Sequence, residues 1–75
     1  MLTPIEQFVI EKVRQIRNQK NISQAELAFA IGVSIGFIGK VERLKYNTKY
    51  NLNHLNSIAK ALQISPQELL PIQSI

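Results

Sequence analysis

Lys40, Arg43, Lys45 and Lys49 fall within a ten-residue window and are opposed there only by Glu42. Cations at that density suit a polyanion, either nucleic acid or an anionic membrane face, although a solvated, solubilising surface accounts for the charge equally well. Tyr46, Asn47, Tyr50 and Asn51 lie among them, and phenol and amide groups donate well to phosphate oxygens. The alternative is that one tyrosine covers the core and Asn51 only caps a helix. A second basic block, Lys12, Arg14, Arg17 and Lys20, comes earlier, and the chain as a whole carries a formal charge of +4. With no cysteine and one histidine, His54, disulfides and zinc fingers are excluded. The hydroxyls of Ser23, Ser34 and Ser65 all stand where helix caps need them, so no nucleophile–base–acid set can be assembled. No enzymatic activity, metal, cofactor or small-molecule ligand is expected.

The elements that must position those cations announce themselves by punctuation. Ser23 and Glu26 have the spacing of a capping box, in which the serine hydroxyl and the glutamate carboxylate each accept from the other's backbone amide. Leu27, Ala28 and Ile31 follow at helical spacing, and Gly32 supplies the positive φ that ends a helix cheaply. Ser34 caps the next helix, which buries Ile38 and Val41. Two short helices joined at a glycine turn make a helix-turn-helix. At about 100° per residue, Gly36, Lys40 and Arg43 share the outward face of the second helix. Phe37 and Leu44 flank that face on one edge, Ile35 and Gly39 on the other, and Glu42 points back toward the core.

The flanking sequence supplies the support. Thr3-Pro4-Ile5-Glu6 is another capping box, followed by an apolar stripe of Ile5, Phe8, Val9, Val13 and Ile16. Ile10 falls off that stripe, and Asn21 is a residue type that tolerates the left-handed stop. Leu44 to Asn51 reads as a loop, and Asn51 caps a helix with Leu52, Leu55, Ile58, Ala59 and Leu62 inward and His54 in solvent. Gln63 ends this helix where glycine would be easier, at about 1 kcal/mol. Ser65-Pro66-Gln67-Glu68 starts a last short helix that Pro71 stops. The expectation is an all-α, orthogonal five-helix bundle forming one domain over all 75 residues. Its helices span about 4–20, 24–31, 35–44, 52–62 and 66–70. No run is long enough to span a bilayer, no signal peptide is visible, and absence of cysteine fits a cytoplasmic protein.

These residues, in this order, resemble the phage-repressor and Cro-like helix-turn-helix family, the XRE type. The resemblance runs from about Val13 to Leu70. It rests on Arg17, Ser23-Gln24-Ala25-Glu26-Leu27-Ala28, Gly32-Val33-Ser34, Ile38, Val41-Glu42, Ala59-Lys60-Ala61-Leu62 and Ile64-Ser65-Pro66 taken together. It implies a lambda-repressor-like fold with the third helix in the major groove of double-stranded DNA. By the same resemblance Gln24 meets a phosphate at a helix N-terminus, and Ile35, Gly36 and Lys40 occupy base-reading positions with Ser34 and Phe37 beside them. Arg17 and Glu42 match a structural ion pair. The chain departs from the family at Ile35 and Gly36, where polar residues are common, and at Leu44, where glycine is frequent.

The side chains leave several roles open. Ile35 and Phe37 can touch thymine methyls or cover the core edge. Gly36 and Gly39, which together cost a helix about 2 kcal/mol relative to alanine, favour close approach of backbone to DNA or another helix over drift. Lys40 is the side chain able to donate to guanine; Arg43, Lys45, Asn47 and Lys49 are candidates for the phosphates. The reading is a small, sequence-specific transcriptional regulator, with a protein-interaction module on the same fold as the alternative. A restriction or toxin–antitoxin operon is one possible setting. Useful specificity calls for a homodimer on a pseudo-palindrome, with third helices about 34 Å apart. Leu69, Leu70, Ile72 and Ile75, joined by Ile10, are the candidate interface, unless they complete the protomer core.

Overall fold

The computed structural model covers residues 1–75. It contains α1 (Pro4–Gln19), α2 (Gln24–Ile31), α3 (Ile35–Arg43) and α4 (Leu52–Leu62), then a 3-10 turn over Pro66–Leu69. The expected fifth α-helix is therefore a single tighter turn. Four residues between Ser65 and Leu70 are too few for a ladder of i→i+4 bonds, so Glu68 N–H donates to the Ser65 carbonyl and Leu70 N–H to that of Gln67.

Every element begins at a side-chain cap. Thr3 and Glu6 exchange bonds of 3.3 and 2.9 Å, Ser23 and Glu26 bonds of 3.0 and 2.8 Å. Accepting the Thr3 amide holds the Glu6 carboxyl below the usual glutamate value, with Lys49 adding to the effect; the Ser23 amide does the same for Glu26. Ends are made by left-handed residues: Gly32 at φ 74° after α2, Leu44 at 65° after α3 and Gln63 at 58° after α4. Asn21, at φ 57°, turns the chain after α1.

The main core gathers Val9 and Val13 of α1, Leu27 and Ala28 of α2, Ile38 of α3, Ile58 and Leu62 of α4, and Leu69 of the 3-10 turn. A smaller cluster of Leu2, Ile10 and Val41 closes the other side of α1 against α3. That second cluster overturns the surface placement of Ile10, which is 2% exposed: α1 is covered on two sides, so its buried stripe is wider than one row. Leu44 also turns inward against this cluster instead of flanking the outer face, because its left-handed backbone takes it off the helical wheel.

Three further placements change. Leu69 is fully buried and belongs to the protomer core, so it cannot serve as interface; Leu70, Ile72 and Ile75 remain exposed. Leu52, expected inward, is 82% exposed; on α4 the core contacts begin at Leu55. His54, expected in solvent, is half-buried; its Nδ1 accepts the Asn51 N–H at 3.0 Å while Asn51 Oδ1 accepts the His54 N–H at 2.8 Å. Histidine thus takes the part that glutamate plays in the other caps.

Candidate nucleic-acid interface

The axes of α2 and α3 turn by 118° across Gly32–Ser34, within the range of a helix-turn-helix. Ile38 and Val41 anchor α3 inward, which leaves Ile35, Gly36, Lys40 and Arg43 exposed on its outer side. Lys40 makes no hydrogen bond or ion pair within the protein. Ser34 Oγ accepts the Phe37 N–H at 3.0 Å, which uses a lone pair and leaves the hydroxyl proton available to a ligand.

A buried clamp fixes the orientation of this helix. Arg17 reaches from α1 to Glu42 of α3 through Nε to Oε2 at 2.9 Å and Nη2 to Oε1 at 2.8 Å. Its Nη1 donates to the Ile22 carbonyl at 2.7 Å, so all three nitrogens are used. Both side chains are buried, and only such bidentate geometry offsets the desolvation of the two charges. Gln24 joins the clamp: its Nε2 donates to Glu42 Oε1 at 3.0 Å. The side chain expected on a phosphate is thus held by the scaffold, and the N-terminal amides of α2 are what Gln24 has left to offer an anion. Gln24 Oε1 would lie 3.7 Å from a Cβ on Gly39, and the nearest atom to one on Gly36 would be Ser34 Oγ at 3.9 Å. Both are ordinary contacts, so nothing inside the protomer requires either glycine.

The aromatic residues divide into two groups. Phe37, Tyr50 and His54 pack together, with ring centroids 5.0 to 6.1 Å apart, and Phe37 bridges the two core clusters. Of its two open roles Phe37 therefore takes the core-edge one, held by the scaffold. Tyr50 is half-buried with it, and its hydroxyl, which is buried, has no partner in the protein. Burial raises the phenol well above its ordinary value, and the nearby Glu42 carboxylate adds to the rise. Tyr46 behaves differently: it is exposed, its hydroxyl accepts from Arg43 at 3.4 Å, and Lys45 Nζ lies 5.2 Å from its ring centroid. Sequence reasoning left Tyr46 undecided between edge and core, and the cations three residues before and one residue before it were the available signal.

The loop cations also separate. Arg43 and Lys45 gather around Tyr46, and exposed Asn47 sits beside them at φ 56°. Lys49, expected with them, turns to α1 and pairs with Glu6 at 2.9 Å, because the loop has by then returned to the first helix. The chain thus carries one outward strip of Ser34, Ile35, Gly36, Lys40 and Arg43, continued by Lys45 and Asn47. No helix is long and apolar enough to cross a membrane.

Comparison with known proteins bears on the family and the fold. The family profile described as Helix-turn-helix matches residues 13–69. Control protein C.SmaI of Serratia marcescens is 39% identical over 71 residues, covering 95% of this chain and 82% of that protein. The restriction-modification controller protein C.AhdI from Aeromonas hydrophila superposes with a TM-score of 0.74 at 33% identity, over 84% of this chain and 92% of that one. The P22 c2 repressor, solved in complex with a synthetic operator, gives a TM-score of 0.70 at 37% identity, over 87% and 96% of the respective chains.

Proposed function

The chain belongs to the XRE-type helix-turn-helix family of DNA-binding transcription regulators, and we propose that it acts as a restriction–modification controller, reading double-stranded DNA through α3. The observation that carries this is the outer strip of α3. Lys40 and Arg43 project from a helix that the Arg17–Glu42 clamp holds rigidly, and that strip contains no acid. Lys40 donates to guanine O6 or N7, and Ile35 meets a thymine methyl. Gly36 leaves α3 backbone bare where the groove edge comes closest. Ser34, Arg43, Lys45 and Asn47, with the α2 amides at Gln24, meet phosphates and set register. With a single hydrogen-bonding side chain at mid-helix, DNA shape contributes much of the preference. One domain reads few base pairs, so the functional unit is a homodimer on a pseudo-palindromic site. In this reading the protein is a binding protein and not an enzyme, working in the cytoplasm where the DNA lies.

Selection of bound duplexes from a random pool tests the reading. Enrichment of a two-fold-related site supports it; salt-sensitive binding without enrichment leaves only phosphate contact. No binding to random duplex at low salt would overturn it in favour of a protein partner.

A further inference from the structure

Tyr46 is exposed in the loop that leaves α3, and two cations gather on its ring. The Arg43 guanidinium carbon lies 6.0 Å from the ring centroid and Lys45 Nζ lies 5.2 Å from it, both within cation–π range. Arg43 Nη1 also donates to the Tyr46 hydroxyl at 3.4 Å. The loop is anchored on both sides of this group. Leu44 packs against Leu2, Ile10 and Val41, and Thr48 Oγ1 donates to the Tyr46 carbonyl at 3.4 Å. No carboxylate balances the charge: Glu42 is buried on Arg17, and Glu6 is taken by Lys49. Two like charges thus share one ring, an arrangement that an anion relieves.

We infer that Arg43, Lys45 and Tyr46 form a cradle for one backbone phosphate of DNA, with the phenol O–H as a donor and the ring as the spacer that holds both cations at the anion. The inference rests on the DNA-binding reading above and adds Tyr46 to it. The donors support a phosphate over a base edge. Because the hydroxyl oxygen accepts from Arg43, its proton is free to point outward, and the remaining N–H groups of Arg43 and all those of Lys45 are unused. A set made only of donors, two of them charged, matches phosphate oxygens; base edges are uncharged and most mix donors with acceptors. The position agrees, since Arg43 lies on the outward strip of α3 with Lys40. Gathering two long side chains before DNA arrives also reduces the rotamer freedom lost on binding.

Binding of the full chain to short labelled duplexes of random sequence, measured across salt concentrations, tests this with Tyr46→Phe, Tyr46→Leu and Lys45→Ala. Tyr46 is exposed, and circular dichroism checks that the variants remain helical. Tyr46→Phe keeps the ring and loses only the donor, so affinity should fall about fivefold at every salt concentration. The slope of log affinity against log salt should stay as in the wild type, since a neutral donor releases no counterion. Tyr46→Leu loses the ring as well and should fall at least about tenfold. Lys45→Ala should instead lower the slope. Wild-type affinity in Tyr46→Phe overturns the inference, because a tyrosine that only shapes the loop has no use for its hydroxyl. A changed slope in Tyr46→Phe overturns it too, by placing the effect on the cations and not on the donor. A wild type that does not bind at low salt overturns the DNA-binding reading and this inference with it. Salt-sensitive wild-type binding that Tyr46→Phe and Tyr46→Leu leave intact overturns the inference alone.

Discussion

Lys40 and Tyr50 show how differently a polar side chain behaves when it faces solvent and when it faces core. Lys40 has no partner in the protein, so its charge is free for a ligand. Lys40→Ala is expected to relax preference at one base position by about 1–3 kcal/mol, measured by competition among single-base operator variants. Equal weakening on every variant would make Lys40 a phosphate contact. Tyr50 has the opposite problem, a buried hydroxyl with nothing to bond. Leaving such a donor unsatisfied costs about 1–3 kcal/mol, so Tyr50→Phe should raise stability in urea titration by about 1 kcal/mol. A loss of stability would show that the hydroxyl has a bonding role. Tyr46 and Tyr50 sit in the same Lys-Tyr-Asn tripeptide and differ in sequence only by the surrounding residues, such as Arg43 three before Tyr46; the path of the loop exposes one and half-buries the other.

At the scale of the element, caps and C-terminal turns are local events, and the sequence states them directly. Thr3, Ser23, Ser34, Asn51 and Ser65 all cap as their spacing predicts. The two non-glycine left-handed ends of α3 and α4 differ in compensation. Leu44 packs against Leu2, Ile10 and Val41, which offsets its backbone strain, whereas Gln63 is exposed and has no such contact. Gln63→Gly is therefore expected to add about 0.5–1 kcal/mol in the same titration, and a decrease would show that the glutamine side chain holds the turn. The glycines of α3 follow a different logic. A Cβ at either would make only ordinary contacts, so the fold itself requires neither glycine.

For the whole molecule, the partition of the cations decides how binding responds to salt. Lys45 stands free beside Tyr46, and Lys49 is tied to Glu6 on the far side of the loop. Lys45→Ala should lower the slope of log affinity against log salt by about 1, and Lys49→Ala should leave it unchanged. A reduced slope for Lys49→Ala would mean that DNA breaks the Glu6 pair. The longest dimension of the protomer is 30 Å. Two protomers side by side therefore suit reading helices about one DNA turn, roughly 34 Å, apart.

The sequence by itself determined where the four α-helices lie, how each is capped, and which family the chain belongs to. Those features depend on residues within a few positions of one another, or on spacing along one chain. It also placed Arg17 and Glu42 together through the family resemblance. The tertiary structure alone decided which faces are covered. Ile10 and Leu69 went inside, Leu52 stayed out, His54 packed against Phe37, and Gln24 and Lys49 were drawn to Glu42 and Glu6. A helical wheel shows which side chains share a face. How many neighbours cover that face depends on the crossing of helices distant in sequence, and that crossing separates side chains held by the scaffold from those left free to read.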